Sequence, residues 1–354
     1  MDTFARPLTV ARRLRAQAGF TIVELMVAIT LGMLILAALS TLFANTSVAR
    51  GEIDKASRQI ENGRFALQTL GDEIRHAGYY GPMVNAPGAP ATWPNDPCST
   101  STADVRDSLG VPLQAYAAAA TAPLSCLPGY KPQTGVVVIR RASTAAPAAS
   151  AAASSFNIQV SGCPGDANPG YVLDGPSGTF NMHKNDTPPG CTPLPSALTA
   201  GISPFFVRIY YISCNTDSSV ACNAGGADGV PTLQRVDVTP VGRTTTPVVD
   251  GIENMQFAFG LDSTGPTPDG LPDLYTDVPP AFADRAASGG YVNNWRDVMS
   301  VRIFLLARNV ERTGGYTDPK TYVLGPVSVT PGGPYKRHAY SEVARLNNPA
   351  GRRE

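Results

Sequence analysis

One carboxylate stands inside a long apolar segment of the chain. From Phe20 to Ala44 the sequence reads FTIVELMVAITLGMLILAALSTLFA, and Glu24 is its only ionisable side chain. A carboxylate inside a bilayer costs on the order of 3 kcal/mol at the centre and normally has a partner. Cleavage after Gly19 would create an α-amino group on Phe20, four residues before Glu24. This amine could neutralise the carboxylate within one subunit or between neighbours; the alternative is a glutamate that reaches the interface from the helix end.

Six cysteines are a second source of chemistry, and all of them follow the apolar segment. None forms a C-x-x-C metal or redox motif, so disulfides are the expected chemistry, with 15 possible pairings. We expect the sequential pairing, because each bridge then closes a loop that is rich in Pro, Gly and Asp and lacks a core of its own. The expected bridges are Cys98 with Cys126, Cys163 with Cys191, and Cys214 with Cys222. The alternative is that the thiols are reduced and buried.

The common catalytic motifs are absent from the sequence. It contains no G-x-x-x-x-G-K-[ST] for phosphate binding, no G-x-G-x-x-G for dinucleotides, no H-E-x-x-H and no G-x-S-x-G. The histidines, His76, His183 and His338, are scattered and have no convincing acid or nucleophile partner by spacing. We therefore expect neither an enzyme nor a cofactor.

One acidic cluster resembles a calcium loop. Asp262, Asp269 and Asp273 lie in the segment LDSTGPTPDGLPDLY. The segment lacks the alternating ligands and the terminal Glu of an EF-hand. We expect a solvated turn between strands and no metal site, with calcium binding as the alternative.

The composition argues against one class of partner. Lys and Arg together number 28, as do Asp and Glu, so the net charge is +0, and only 16% of the residues are charged. A nucleic-acid-binding protein that relies on phosphate neutralisation would be basic, so we expect no nucleic-acid partner. Gly (34) and Pro (32) are abundant, yet 43% of the residues are hydrophobic. This composition predicts a globular core surrounded by many loops.

A basic leader precedes the apolar segment. Residues 1–19 hold four arginines against one aspartate, a pattern typical of targeting segments. As a helix, the apolar segment would span roughly 37 Å, which is enough for the ~30 Å hydrocarbon core of a membrane. The upstream arginines predict a cytoplasmic N-terminus and an external remainder. A secretory signal peptide would instead have a shorter apolar run that ends close to a small-residue cleavage site.

The segment from Gly19 to Ile29, GFTIVELMVAI, resembles the class III leader of type IV pilins and type II secretion pseudopilins. In that family a prepilin peptidase cuts after the Gly, and the new N-terminal Phe is N-methylated. The Glu four residues further on pairs with an N-terminal amine when subunits dock. The resemblance implies cleavage between Gly19 and Phe20 and N-methylation of Phe20. It also implies that Glu24 is the assembly carboxylate.

An amphipathic pattern continues the helix beyond the membrane. Isoleucine or leucine recurs every seven residues, at 53, 60, 67 and 74, and Phe65 and Leu70 lie beside this stripe. The pattern predicts an apolar face whose outer half packs on the protein's own sheet. Gly78 is expected to end the helix, which would cover residues 20–77.

Short β patterns follow Tyr79. Apolar or alternating runs of strand length occur at 136–140, 156–160, 207–212, 255–259 and 301–308, with weaker ones at 233–238, 322–329 and 339–346. A mainly antiparallel sheet, with one face on the helix and the other partly solvated, is the simplest arrangement. We therefore predict a pilin-like α+β fold, in which a long N-terminal hydrophobic helix packs on a mainly antiparallel β-sheet head with long disulfide-closed loops.

The expected organisation has four parts. They are a basic prepilin leader (1–19), the transmembrane and assembly half of the helix (20–44), its amphipathic half (45–78) and a periplasmic β-rich head (79–354). The protein would be a single-pass inner-membrane protein before it enters a cell-surface filament.

Two segments of the C-terminal half resemble PilW-type minor pilins, namely VVDGIENMQF at 248–257 and WRDVMSVRIFLLAR at 295–308. The resemblance covers roughly residues 19–82 and 248–346 and is thin between them. The acidic turn departs from the family's richer D-G-D-G version, which weakens a metal site further.

The resemblance implies a minor pilin of type IV pilus assembly that primes the fibre and lies at or near its tip, with roles in twitching motility and adhesion. The implied partners are prepilin peptidase, other minor pilins, the major pilin and a tip adhesin. One alternative is a J-type pseudopilin of a type II secretion system. The other is a membrane-anchored periplasmic binding module that never polymerises.

Overall fold

The structure is a computed structural model of the 354-residue chain. It describes residues 19–83, 96–163, 166, 170–184, 199–263, 268–277 and 295–352. Contacts along the chain divide it into two units, Met1–Asp54 and Lys55–Glu354.

Helix α1 runs from Ile22 to His76 and contributes to both units. Thr21 caps its N-terminus, because the Thr21 carbonyl accepts the Leu25 N–H at 3.1 Å and the Thr21 hydroxyl accepts the Glu24 N–H at 3.2 Å. Gly78 follows the helix with a φ of +74°, a backbone conformation that ends helices and favours glycine. The prediction of one long N-terminal helix is confirmed.

The second unit is built mainly from β-strands. In the described residues, a first sheet contains β1 (Leu113–Tyr116), β2 (Val136–Ala142), β3 (Phe156–Val160), β4 (Tyr171–Asp174), β5 (Ile202–Ser213), β6 (Thr232–Thr239) and β7 (Gly242–Asp250). The strand order is β1-β2-β5-β3-β4, with β6 also paired to β5 and β7 paired to β6. Short helices lie before β1, as α2 (Thr102–Asp107), and at the C-terminal end, as α3 (Asn347–Gly351).

A second sheet and a hairpin complete the described strands. The second sheet contains β8 (Ile252–Leu261), β9 (Leu274–Thr276), β10 (Val298–Arg308) and β13 (Arg337–Arg345), in the order β13-β10-β8-β9. The hairpin pairs β11 (Tyr322–Leu324) with β12 (Val327–Val329). All of these pairings are antiparallel, as predicted.

Two hydrophobic clusters lie on opposite faces of the first sheet. Successive side chains of β2 point to opposite faces of the sheet. Val137 belongs to the first cluster, which is shared with α1 and the second sheet, whereas Val138 belongs to the second cluster, and both residues are fully buried. The second cluster also takes Leu124 and Leu127 from the loop between β1 and β2. The expectation of a single sheet with a partly solvated face is therefore wrong for the first sheet, because long loops carry apolar side chains that cover its outer face.

The buried face of α1 agrees with the predicted stripe only toward the C-terminal end of the helix. Its buried residues are Gln59, Gly63, Ala66, Leu70, Gly71 and Ile74. Ile60 and Phe65 remain 49% and 53% exposed, and Ile53 is 64% exposed. Leu70 and Ile74 of the predicted stripe are fully buried, as expected for its outer half, whereas small residues, Gly63 and Ala66, make the contact nearer the middle of the helix.

Candidate functional site

The predicted processing site lies in extended chain just before α1. Gly19 and Phe20 are outside the helix and exposed, with Phe20 at 85% exposure. A Cβ added at Gly19 would meet no atom within 4 Å. The two residues that flank the expected cleavage site are therefore both exposed, as in a peptidase substrate.

Glu24 lies in the first turn of α1, three residues after the capping residue Thr21. Threonine at the cap and glutamate three residues later are the sequence signature of a capping box. The sequence interpretation missed this signal, although T-x-x-E is visible in the motif itself. The positive end of the helix dipole also favours a carboxylate at this position. Glu24 is therefore placed where negative charge is stabilised.

The apolar half of α1 is exposed along its length. Among the described residues, α1 is long and apolar enough to cross a membrane, and none of its most apolar 18-residue window is buried. Leu34 and Phe43, for example, are 67% and 76% exposed. Apolar surface of this extent is stable only in contact with lipid or with other apolar helices. The leader motif and this helix together support anchoring in a membrane.

Glu73 joins the outer half of α1 to the first sheet. Its carboxylate accepts two bonds from Arg141 on β2, at 2.8 and 3.1 Å, and one from Arg208 on β5, at 2.5 Å. Arg208 also donates to Asp237 on β6 at 3.1 Å. Burial by itself would raise the pKa of Glu73, but the hydrogen bonds and charges of the two arginines outweigh it and lower the pKa below its ordinary value.

Two glycines bring α1 close to β13 of the second sheet. A Cβ at Gly63 would lie 2.4 Å from the Tyr340 ring, so the ring packs directly on the helix backbone. A Cβ at Gly71 would lie 3.1 Å from the Glu342 carboxylate, which pairs with Arg75. Both glycines make room for β13, since a side chain at either position would meet a residue of that strand.

Polar side chains of α1 bond to backbone carbonyls where strands end. The Gln59 amide donates to the carbonyls of Ala307 and Lys336 at 2.8 and 3.0 Å, and it is buried. The Asn62 amide donates to the carbonyl of Asp250 at 3.0 Å. These bonds satisfy polar groups at the sheet ends and fix the register of the helix on both sheets.

Gly251 explains why the VVDGIENMQF segment contains a glycine. Its φ is +79°, and a Cβ there would lie 2.8 Å from the Arg308 carbonyl. Its N–H donates to the Pro231 carbonyl and its carbonyl accepts the Arg308 N–H, both at 2.8 Å. These hydrogen bonds attach the turn between β7 and β8 to β10, and a residue with a side chain does not fit at position 251.

A buried ion network follows this turn. Glu253 pairs with Arg337, which also donates to Asp318 at 3.1 Å. Tyr322 donates to the same carboxylate at 3.0 Å. Burial alone would raise the pKa of Asp318, but its hydrogen bond with Arg337 and other bonds lower it below the ordinary value. Glu253 of the VVDGIENMQF segment thus links β8 to β13 across the second sheet.

Two disulfides occur in the described residues. They join Cys98 to Cys126 and Cys214 to Cys222, in agreement with the sequential pairing expected from the sequence. Cys98 and Cys126 are buried in the second hydrophobic cluster. Cys191 lies outside the described residues, so its pairing with Cys163 stays a prediction.

One histidine has a partner that its spacing did not reveal. The His183 ring bonds to the Asp166 carboxylate at 2.5 Å, and Ser161 bonds to the same carboxylate. His183 Nε2 is buried with no hydrogen-bond partner. Because Ser161 contacts the carboxylate and not the imidazole, this trio lacks the order of a Ser-His-Asp triad.

The acidic turn uses its carboxylates as backbone acceptors. Asp262 accepts the Gly270 N–H at 2.9 Å, and Asp273 accepts the Ser263 N–H at 2.8 Å. Asp262 is 1% exposed, so the expectation of a solvated turn is wrong for this residue. Within the part of the chain that the structure describes, no group of three or more His, Cys, Asp or Glu side chains could hold a metal ion.

Two family models match this chain, one near its N-terminus and one in its C-terminal half. Residues 14–40 match the model of the prokaryotic N-terminal methylation motif, and residues 209–348 match that of the family "Type IV Pilus-assembly protein W". The second match contains β6 to β13 and the entire second sheet. The comparisons with curated proteins and with solved structures each found no match. Residues 14–40 are therefore similar to the N-terminal methylation motif of prepilin leaders, and residues 209–348 are similar to the type IV pilus-assembly protein W family.

Proposed function

We propose that this protein is a minor pilin that primes type IV pilus assembly at the inner membrane and lies at or near the tip of the fibre. The observation that carries the proposal is the presence in one chain of the methylation motif and the pilus-assembly protein W domain. The exposed apolar half of α1 supports it, since that surface needs either lipid or neighbouring helices as a cover.

Three steps of assembly fall to residues of this chain. Prepilin peptidase removes the leader after Gly19 and exposes the α-amino group of Phe20. Glu24, held in the first helical turn by its position after Thr21, pairs with an N-terminal amine and so lowers the cost of moving a carboxylate through the membrane. The apolar helix then leaves the lipid for a bundle of similar helices, while an ATPase elsewhere supplies the work. The protein itself catalyses no reaction.

The head is on the periplasmic side in this proposal, and the leader is cytoplasmic. The oxidising periplasm is consistent with the two disulfides of the head. Other minor pilins and the major pilin are the expected partners, with an adhesin at the tip.

Mass spectrometry of the mature chain tests the first step. We expect the polypeptide to begin with N-methylated Phe20. A chain that still begins upstream of Phe20, or that is trimmed after the apolar segment, would contradict the proposal.

The Glu24→Ala variant tests the assembly role in cells. It should remain inserted in the membrane but disappear from sheared pili. A simple membrane anchor would be indifferent to the substitution, which would favour a periplasmic binding module.

Deletion of the protein should abolish twitching motility and leave protein secretion intact; the opposite pattern would identify a type II secretion pseudopilin.

A further inference from the structure

The start of α1 depends on a single backbone donor, the Glu24 N–H. The first N–H groups of a helix have no acceptor within the helix itself. In the structure the Glu24 N–H donates to the Thr21 hydroxyl at 3.2 Å, and the Leu25 N–H donates to the Thr21 carbonyl at 3.1 Å. Thr21 is therefore the boundary between the extended chain and the helix.

The same N–H has a second acceptor in another backbone conformation. In an α-helix each N–H bonds to the carbonyl four residues earlier, which for Glu24 is the carbonyl of Phe20. Phe20 has no side-chain acceptor for a cap, whereas glycine is tolerated at a cap position. The alternative helix therefore begins at Gly19, and in it the Gly19 carbonyl accepts the Val23 N–H.

The sequence offers no other side chain that could hold the boundary in place. Thr21 is the only Ser, Thr, Asn or Asp between Thr9 and Thr30. These four residue types are the ones whose side chains cap helices. The choice between the two helix starts thus depends on the Thr21 hydroxyl.

This choice decides the state of the bond that leader cleavage breaks. Gly19 and Phe20 lie outside the helix and are exposed, and no described residue donates a hydrogen bond to the Gly19 carbonyl. In the alternative helix the same carbonyl is the acceptor of the first helical bond. A peptidase attacks this carbonyl, and backbone that is bonded within a helix must open before it can be cut.

We propose that Thr21 is a positioning residue for leader cleavage: its hydroxyl caps α1 and thereby keeps the Gly19–Phe20 bond outside the helix, in the conformation that prepilin peptidase cuts. The role is separate from the charge of Glu24, because the cap binds the backbone N–H of that residue and not its side chain. This inference rests on the proposed function, since it concerns the cleavage step named there.

Two substitutions separate capping from side-chain shape. Thr21→Val has nearly the shape of threonine but lacks the acceptor. Thr21→Asn changes the shape but keeps an acceptor that caps at least as well as threonine. Full-length precursors are purified in detergent from cells that lack prepilin peptidase and are then incubated with the purified peptidase. Capping predicts that asparagine replaces threonine and that valine does not.

We expect the Thr21→Val precursor to be cut with a kcat/KM about fivefold below that of the native precursor, the usual effect of losing a cap. The loss should appear in KM with kcat unchanged, because the cap sets the fraction of precursor that is ready to bind. The Thr21→Asn precursor should be cut like the native one. Equal cleavage of the valine precursor, slow cleavage of the asparagine precursor, or a loss confined to kcat would overturn the proposal.

Isotope labelling reports the helix start without the peptidase. Gly19–Phe20 is the only Gly-Phe pair in the sequence, so a precursor with ¹³C-carbonyl glycine and ¹⁵N-phenylalanine gives one NMR signal, from the bond that is cut. In detergent micelles, the carbonyl shift should be that of extended chain in the native and Thr21→Asn precursors. It should move toward the helical value in Thr21→Val, and an unchanged shift there would also overturn the proposal.

Failure of the proposed function gives a different result. If the protein is not a substrate of prepilin peptidase, the native precursor itself stays uncut, which overturns both proposals. If the native precursor is cut and the valine precursor is cut equally well, only the role of Thr21 is overturned. Cleavage of the native chain therefore tests the function, and the difference between valine and asparagine tests the inference.

Discussion

At the scale of single residues, Glu24 combines two properties that can be separated. Its position three residues after Thr21 suits a helix cap, which glutamine fills as well as glutamate. Its charge is the property that pairing with an amine requires. Glutamine, the uncharged isostere of glutamate, can therefore keep the capping role but cannot form an ion pair with an amine.

The Glu24→Gln variant should therefore behave like Glu24→Ala in assembly. We expect normal helix formation and membrane insertion, because glutamine retains the capping geometry, but incorporation into pili reduced at least tenfold. Immunoblots of membrane and sheared-pilus fractions measure both quantities. Normal incorporation of the glutamine variant would mean that Glu24 acts only as a cap.

Glu73 is a charged residue of α1 that contacts the first sheet. Its side chain is 12% exposed and is held by two arginines that are 12% and 16% exposed. We expect Glu73→Gln to lower the free energy of unfolding by about 3 kcal/mol, because it removes the carboxylate that faces the Arg141 guanidinium and leaves Arg208 with Asp237 alone. Urea unfolding in detergent at neutral pH measures this loss. Glu61→Gln, at an exposed position of the same helix, is the control and should change little.

The free energy of unfolding of the native protein and that of the Glu73→Gln variant should depend differently on pH. The pKa of Glu73 is lowered in the folded state, so its contribution is complete above the ordinary glutamate pKa and is lost as the pH falls through the folded value. The stability gap between the native protein and Glu73→Gln should therefore narrow on acidification below about pH 4.3. A gap that stays constant to pH 2 would contradict the ion-pair account.

At the scale of elements, the contact between α1 and β13 depends on glycine. In an exposed helix, Gly to Ala is favourable by about 1 kcal/mol. At Gly63 the added methyl group would lie 2.4 Å from the Tyr340 ring, whose hydroxyl is itself buried without a hydrogen-bond partner. The methyl group would overlap ring atoms at 2.4, 2.6 and 2.9 Å, so we expect the steric cost to exceed the gain in helix propensity.

We expect Gly63→Ala to lower the free energy of unfolding of the full chain by about 1 to 3 kcal/mol. Gly51→Ala is the matched control, because a Cβ at Gly51 meets no atom within 4 Å, and it should be neutral or slightly stabilising. Thermal unfolding in detergent compares the two variants. Combining Gly63→Ala with Tyr340→Ala should cost less than the two single losses together, since the second change removes the clash. Simple additivity would show that the two residues do not contact each other.

At the scale of the whole molecule, the loops of the head depend on disulfides to differing degrees. The Cys98–Cys126 bridge spans 28 residues of sequence and lies in the second hydrophobic cluster. The Cys214–Cys222 bridge spans only 8 residues, and its cysteines are partly buried. The chain-entropy model assigns roughly 3.6 kcal/mol to the longer loop and roughly 2.5 kcal/mol to the shorter one.

Replacing Cys98 and Cys126 together by serine should therefore destabilise the head more than replacing Cys214 and Cys222. Loss of the longer bridge also frees the loop that covers the first sheet, so the second cluster should become accessible to a hydrophobic dye. Urea unfolding and dye binding of the two double variants provide the comparison. Equal losses would contradict the loop-length ranking of the chain-entropy model.

The pattern of residues within short windows of sequence was sufficient to predict most helices and strands of this protein. The leader, the apolar helix and strands such as Phe156–Val160 follow from charge, hydropathy and side-chain period within short windows of sequence. The two described disulfides also join neighbouring cysteines, so their loops could be recognised by composition. Each of these features depends on residues close together in the chain.

Contacts between distant residues were decided only by the tertiary structure. The partners of Glu73 lie 68 and 135 residues away, and Gly63 meets a ring on β13. The division of the strands into two sheets depends on such contacts as well. A seven-residue repeat of isoleucine and leucine predicts which side of a helix is apolar. It does not predict where the helix backbone comes close to a strand, and such close contacts favour small residues over large ones. Ile60 is therefore exposed while Gly63 is buried, because packing distance is a property of two surfaces together and a sequence pattern describes only one of them.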